Sequence, residues 1–306
     1  MVKRESDIAT PNSIKSFSDS VRNKMSEYDY INYWLDTIKK ITESMKLPRR
    51  AIQNINKKLP NFSNNFSEIL KKLPKELHEI QIYLIDKGWY LSGDISINIS
   101  RKIINLIENK KDNEIEIFMQ NFTKSKTTIV ERKLIKYWPK RARIIRESFC
   151  AHQKELYSLS IPVFLIQADG ICYDILGVLL YSKDKKGIPK TNEKLNEEID
   201  KAKVGDTKLK FDPLLDIFLN FLRFPTSINK TVVFNEYENK QKNNSAFGLF
   251  NRHLILHGKD TSYPTQANSL RAISILDYLI FLKETLENHI KIATEFRGTL
   301  DNKNVQ

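Results

Sequence analysis

One segment near the end of the chain constrains the fold more than any other. Residues 265–296 read TQANSLRAISILDYLIFLKETLENHIKIATEF, and the aliphatic residues recur at helical spacing. The residues that form this pattern are Leu270, Ile273, Leu276, Ile280 and Leu286. Further aliphatic side chains fall on other faces of the same helix, so the helix needs neighbours on more than one side. This requirement favours a helical bundle or a dimer seam.

The rest of the chain is also predicted to be helical, because most segments carry amphipathic periodicity of 3.6 residues. Only nine glycines and ten prolines occur in 306 residues, which favours long regular elements over loops. We therefore predict an all-α fold with an N-terminal helical module over residues 1–130 and a helical bundle over residues 131–306. The boundary is expected between residues 124 and 138. A polar insertion with a short charged helix is expected at about residues 182–209.

The formal charge of +13 is concentrated in the middle of the chain. Residues 131–150 hold seven Lys or Arg against two Glu, a local charge of +5. Such a cluster favours a phosphate-bearing partner, and nucleic acid is the class of partner that it indicates. The candidate nucleic-acid-binding residues are Lys140, Arg141, Arg143 and Arg146. An ordinary solvated helix face is the alternative interpretation of the same cluster.

The longest apolar run extends from Leu159 to Tyr181 and has the length of a membrane span. Gln167, Asp169 and Asp174 interrupt it, and a carboxylate in lipid costs about 2.5 kcal/mol or more. The run is therefore predicted to be a buried core helix, without membrane contact. A buried Asp169 needs a partner, and the candidates are Arg252, Arg271 and His257.

The compartment is expected to be the cytoplasm. The first residues lack the apolar stretch of a secretory signal. The two cysteines, Cys150 and Cys172, lack the spacing of a metal site, and a reduced intracellular environment is the default for such a chain.

The stretch SAFGLFNRHLILHG, residues 245–258, crowds polar groups at a predicted helix end. Gly258 is typical of the left-handed residue that follows a helix, which places His257 in the last turn. There the helix dipole stabilises a protonated imidazole, as a general acid requires. Arg252 and His257 point about 140° apart on an ideal helix, so a site shared by two facing copies is favoured.

This arrangement resembles the HEPN ribonuclease family (higher eukaryotes and prokaryotes nucleotide-binding). That family carries an arginine, a polar residue, and a histidine after four to six intervening positions, and this sequence has Arg252-His253-Leu-Ile-Leu-His257. The resemblance covers roughly residues 139–296. A second copy of the pattern, Arg146 to His152, matches less well because Glu147 follows the arginine and would repel phosphate. Arg146 and His152 are better explained as part of a basic face and a packed helical histidine.

The resemblance implies a helical homodimer that cuts RNA without a metal or other cofactor. It implies Arg252 and His257 as catalytic residues, with Asn251 and His253 in support, and a role as a toxin or antiviral defence effector. The N-terminal module would then recognise a protein partner or restrain the nuclease. The flanking stretches also resemble those of a group of uncharacterised bacterial helical proteins, a likeness that implies no activity.

Three alternatives remain open at this stage. His253 and His257 have the i, i+4 spacing of two zinc ligands, with Asp260 or Asp169 as a third, although residue 254 is leucine where HExxH requires glutamate. A non-catalytic adaptor or nucleic-acid binder is the second alternative. In a purely structural interpretation, Arg252 pairs with Asp260 or Asp277.

Overall fold

The computed structural model describes residues 75–93, 95–185, 187–201, 219, 222, 228 and 250–303, and its regular elements are helices. We number them α1 (residues 75–86), α2 (Ile97–Glu108), α3 (Asp112–Tyr137), α4 (Ala142–Gln153), α5 (Tyr157–Leu176), α6 (Lys190–Lys201), α7 (Arg252–Leu256) and α8 (Gln266–Lys303). A 3₁₀ turn, Pro139–Arg141, joins α3 to α4. The predicted all-α fold is confirmed. The helices predicted before residue 75 lie outside the described residues.

Helix α8 is the centre of the bundle. It packs most extensively on α3 and α5, and most of its residues between Asn268 and Leu286 are buried. All five aliphatic residues of the predicted stripe are in the core. Of the two arrangements that the sequence favours, the intramolecular bundle is the one that covers this part of α8.

Helix α3 is longer than predicted and passes through the expected domain boundary near residue 130. Thr123, Thr127, Val130 and Leu134 lie on one face and are buried. This mixed stripe continues the helix to Tyr137, through the segment between residues 124 and 138 where the sequence predicts the domain boundary. The chain divides into compact units between Pro74 and Lys75, so α3 belongs wholly to the second unit.

A buried arginine joins α1 and α3 to α8. Arg271 is 4% exposed, and its guanidinium donates to Glu116 at 2.8 Å, to Asn268 Oδ1 at 3.0 Å and to the Lys87 carbonyl at 2.9 Å. It also lies 4.9 Å from the ring centre of Trp89, which is fully buried. Arg271 is therefore a structural residue and is not the partner of Asp169.

Helix α5 is a core helix on one side, as predicted. Half of its most apolar window is buried, and it is the helix among the described residues whose length and composition suit a membrane span. It begins at Tyr157, so Pro162 lies inside the helix, although the sequence predicts a start at Pro162. Proline donates no N–H to the Ser158 carbonyl, which instead accepts a hydrogen bond from the Tyr263 hydroxyl at 3.0 Å.

The described part of the polar insertion contains the predicted charged helix, α6. Leu195 of α6 is fully buried, and the Thr191 hydroxyl donates to the Leu222 carbonyl at 2.5 Å. Helix α6 packs on α5 and α8, so this segment contributes to the core.

Candidate functional site

The predicted catalytic cluster lies on the short helix α7. Asn251 is its N-cap: the backbone there is extended, with φ −124° and ψ 115°, and Asn251 Oδ1 accepts the Leu254 N–H at 3.1 Å. The prediction of a helix that runs through Asn251 is therefore wrong. A buried asparagine that caps a helix has a structural role, and this role accounts for Asn251 better than RNA contact does.

The end of α7 agrees with the sequence prediction. Gly258 has a left-handed backbone with φ +66°, and His257 is the C-cap residue, whose N–H donates to the His253 carbonyl at 3.1 Å. The His257 side chain is exposed and the His253 side chain is half-buried. The two imidazole rings are 4.4 Å apart and meet edge to face.

The Arg252 side chain lies against the C-terminal half of α5 and the loop that follows this helix. Its guanidinium lies 4.6 Å from the ring centre of Tyr181, and Nη2 is 3.9 Å from Asp169 Oδ2. The side chain is 32% exposed, whereas Nε is buried and has no acceptor among the described residues. Arg252 is thus positioned by a ring and a distant carboxylate, and it keeps donors that no close ion pair occupies.

The partner of Asp169 among the predicted candidates is Arg252. Burial raises the pKa of Asp169, while the backbone N–H of Tyr181 and the charge of Arg252 act in the opposite direction. The Tyr181 N–H donates to Asp169 Oδ1 at 3.2 Å. Burial also raises the pKa of the Tyr181 hydroxyl. Asp169 and Tyr181 therefore form a polar support beneath Arg252.

The electrostatics of the histidine pair favour a neutral ring at His253. Its pKa is lowered first by burial and then by the positive charges of His257 and Arg252. A neutral imidazole accepts a proton, so His253 is suited to orient or deprotonate a hydroxyl. His257, which is exposed, is the imidazole that a bound substrate reaches most easily.

The described residues do not assemble a metal site around these histidines. Asp260 Oδ1 accepts the N–H and the hydroxyl of Ser262, and Asp169 is held against Tyr181 and Arg252. No group of three or more His, Cys, Asp or Glu in the described part of the chain is arranged to hold a metal ion. The third ligand that the zinc alternative requires is therefore missing from this part of the chain.

The predicted RNA-binding residues separate into two kinds. Lys140, Arg143 and Arg146 are exposed, and we call them the basic ridge. Arg143 also pairs with Glu147 at 2.9 Å within the same helix. Because all three side chains reach solvent, the basic ridge is available to a phosphate backbone.

Arg141 is different, because its guanidinium is bound within the bundle. It donates to Asp174 at 2.9 Å, to Gln167 Oε1 at 3.3 Å and to the Gly170 carbonyl at 3.1 Å. Arg141 thereby ties the turn between α3 and α4 to α5. Its interactions are structural, whereas the sequence grouped it with the RNA-binding residues.

The second copy of the arginine–histidine pattern does not form a cluster with the first. His152 is half-buried, and its Nδ1 lies 2.7 Å from the Ser269 hydroxyl, while Arg146 is exposed on the basic ridge. Burial lowers the pKa of His152. The prediction of a packed helical histidine is confirmed.

Comparison with protein-family models, with curated proteins and with solved structures gives no match. The likeness to HEPN ribonucleases thus depends on the residues from Arg252 to His257 and on the helical setting around them. Tyr181, which stacks on Arg252, is a site residue that sequence reasoning missed. The contact joins two segments about seventy residues apart, and no local pattern around Tyr181 signals it.

Proposed function

We propose that this protein is a metal-independent endoribonuclease in which Arg252 and His257 carry the reaction. The observation that supports the proposal best is the arrangement on α7. A guanidinium that is partly exposed and has no ion pair closer than 3.9 Å lies within about one and a half turns of chain from two adjacent imidazoles, whose ring centres are 4.4 Å apart. Guanidinium binds phosphate oxygens, and imidazole transfers protons near neutral pH.

The reaction needs no group beyond these side chains and the RNA. A base, for which the neutral His253 is suited, takes the proton of a ribose 2′-hydroxyl, and that oxygen attacks the adjacent phosphorus. Negative charge grows on the non-bridging oxygens, where the guanidinium of Arg252 stabilises it. Protonated His257 then gives its proton to the departing 5′-oxygen. The products are a 2′,3′-cyclic phosphate and a 5′-hydroxyl.

The basic ridge supplies affinity for the RNA backbone in this proposal. Arg141 and Arg252 contact different flanks of α5, because Gly170 and Asp174 are turned by about 100° to 140° from Asp169 on an ideal helix. A cytoplasmic defence or toxin role belongs to the same proposal.

The test is cleavage of a fluorescent RNA by the purified full chain in the presence of EDTA. Arg252→Ala and His257→Ala are each expected to lower the rate by about 100-fold or more, because each removes one group that acts in the transition state. His152→Gln is the matched control, since His152 completes the second copy of the pattern without lying on α7. The cyclic phosphate is detected by its resistance to phosphatase until acid opens the ring.

Two results would contradict the nuclease proposal. The first is cleavage that stops when EDTA is added, which points to a metal-dependent activity. The second is cleavage that continues at the wild-type rate in both α7 variants, which points to another site or to a contaminating enzyme.

A non-catalytic RNA-binding protein is the second candidate, and the exposure of the basic ridge favours it. In that case RNA binds with strong salt dependence and stays intact. Each of Lys140→Ala, Arg143→Ala and Arg146→Ala is expected to reduce the slope of log K against log salt by about 0.7 for single-stranded RNA. Cleavage that requires Arg252 and His257 would exclude this candidate.

A further inference from the structure

Tyr173 presents an aromatic ring to solvent on the C-terminal half of α5. The residue is 56% exposed, and among the described residues neither its ring nor its hydroxyl makes a ring contact or a hydrogen bond. Most tyrosines gain stability by burying the ring and bonding the hydroxyl, and Tyr173 does neither within this part of the chain. Its ring is therefore accessible to a ligand.

Tyr173 lies one helical turn from the contact between Asp169 and Arg252. The Arg252 side chain is 32% exposed, and its Nη2 lies 3.9 Å from Oδ2 of Asp169. Tyr173 follows Asp169 by four residues, and residues at this spacing are neighbours on a helix, with Cβ atoms about 5 to 6 Å apart. Long side chains on a helix point towards the preceding turn, so the Tyr173 ring extends towards Asp169 and Gly170. The ring and the guanidinium are thus both neighbours of one carboxylate.

The surface beside Tyr173 is open and its carboxylates are compensated. Gly170, three residues before Tyr173, has no side chain, and the guanidinium of Arg141 lies over it with a hydrogen bond of 3.1 Å to its carbonyl. Asp174 binds the same guanidinium at 2.9 Å, and the α7 guanidinium lies 3.9 Å from Asp169. Because each carboxylate beside the ring faces a cation, their charges do not exclude a phosphate from this surface.

We propose that Tyr173 stacks on a base of bound RNA, beside the phosphate that Arg252 holds. Aromatic rings next to cationic groups are the usual receptors for a base and its phosphate. One ribose joins a base to its phosphate, which suits two groups that are one helical turn apart. The phosphate role of Arg252 rests on the proposed function, whereas the stacking is argued from the exposure and the place of Tyr173. Because every base has a π-face, Tyr173 fixes the position of the RNA without selecting its sequence.

The first experiment measures binding without cleavage. A fluorescein-labelled 2′-O-methyl RNA ten-mer lacks the attacking hydroxyl, so fluorescence anisotropy with the full chain gives its dissociation constant. Tyr173→Leu keeps an apolar side chain but removes the ring, and it should raise the dissociation constant about 10-fold, whereas Tyr173→Phe should change it by less than about twofold. Leu159→Ala is the matched control and should have no effect. Leu159 is 60% exposed on the same helix but lies about 21 Å from Tyr173 along the helix axis.

A base-free oligomer then identifies the group that the ring contacts. The abasic ten-mer keeps the labelled sugar–phosphate backbone, so Tyr173→Leu should not weaken its binding. Arg252→Ala should weaken binding of both oligomers alike, because a phosphate contact does not depend on the base. If the protein cuts RNA, Tyr173→Leu should raise KM about 10-fold and leave kcat nearly unchanged, since stacking is made in the ground state and the transition state alike. Far-UV circular dichroism verifies that each variant keeps its helices.

The outcomes separate the stacking from the proposed function. A loss of affinity in Tyr173→Leu that requires the bases supports the stacking even if wild-type protein cuts no RNA, a result that counts against the nuclease alone. A wild-type protein that does not bind the ten-mer in 50 mM salt, an unchanged dissociation constant in Tyr173→Leu, or an equal loss on the base-free oligomer overturns the stacking even if RNA is cut.

Two further results would assign the ring to another ligand. An equal loss of affinity in Leu159→Ala shows that the exposed face of α5 binds as a whole, without a specific contact at Tyr173. A protein that does not bind the ten-mer but floats with phosphatidylcholine–phosphatidylglycerol vesicles, and stops floating after Tyr173→Leu, uses the ring to bind lipid. Either result overturns the stacking.

Discussion

The contact between Arg141 and Gly170 permits a stability test. Gly170→Ala should change the free energy of unfolding in opposite directions in the wild-type protein and in the Arg141→Ala variant. A Cβ atom at Gly170 would lie 2.8 Å from Nη1 and 3.0 Å from Nη2 of Arg141. Both distances are too short, so Gly170→Ala must displace the guanidinium. The displaced group is the end of a flexible side chain, so the movement itself costs little. The main cost is the loss of the hydrogen bonds that Arg141 makes to α5.

The magnitude follows from those bonds. The half-exposed pair with Asp174 contributes about 0.5 kcal/mol after allowance for solvent screening. The hydrogen bonds to Gln167 and to the Gly170 carbonyl add about 0.5 to 1 kcal/mol each. Against this loss of about 2 kcal/mol, alanine stabilises a helix interior by about 1 kcal/mol relative to glycine. Gly170→Ala should therefore destabilise the wild-type protein by about 1 kcal/mol and stabilise the Arg141→Ala variant by about the same amount.

Urea unfolding followed by tryptophan fluorescence measures the four free energies of this double-mutant cycle. A Trp34→Phe background leaves Trp89 and Trp138 as reporters of the second unit alone. The expected coupling between the two substitutions is about 2 kcal/mol. If Gly170→Ala stabilises both backgrounds equally, Arg141 does not bind α5 as described, and its assignment to the RNA-binding surface should be restored.

Three further predictions concern the bundle around the site. Arg271→Leu should lower the free energy of unfolding by about 3 to 5 kcal/mol, because Glu116 loses its buried partner, and Arg271→Leu combined with Glu116→Gln should recover part of that loss. Asn251→Ala should cost about 1 kcal/mol through the lost cap of α7, whereas Asn251→Asp should cost little; equal losses would show that the cap is unimportant. Burial lowers the pKa of His152, so the unfolded chain binds its proton more readily, and stability should fall as pH drops below about 6.5. His152→Gln should reduce the change in the free energy of unfolding between pH 7 and 5.5. If this pH dependence is unchanged, other groups cause it.

Periodicity predicts the helices of the second unit well where one apolar stripe is strong. Leu77, Ile80 and Leu84 of α1 are buried as their spacing indicates, and so is the aliphatic series of α8. Apolar periodicity does not predict the full length of α3, because threonines share its buried face with Val130 and Leu134. A threonine buries its methyl group and bonds its hydroxyl to the preceding turn, as Thr127 does with the Thr123 carbonyl at 3.2 Å. Such a stripe looks polar in the sequence although it is part of the core.

The candidate site shows the same division between local and distant information. Gly258, as a helix terminator, and the closeness of His253 and His257 follow from local spacing. The N-cap at Asn251 has a local signature too, because asparagine is a preferred capping residue. Two other features depend on how α5 crosses its neighbours. They are the stacking of Arg252 on Tyr181 and the binding of the Arg141 guanidinium to α5 in place of exposure to solvent. Such crossings are tertiary geometry, which one sequence read by periodicity does not specify.

The central place of α8 has a consequence for synthesis in the cell. Helices α3 and α5 leave the ribosome before the helix that covers their apolar faces, since α8 is the last described element to be translated. During that interval the nascent chain presents uncovered core surface, a natural substrate for chaperones. Chains that stop before Gln266 should therefore be degraded or should aggregate.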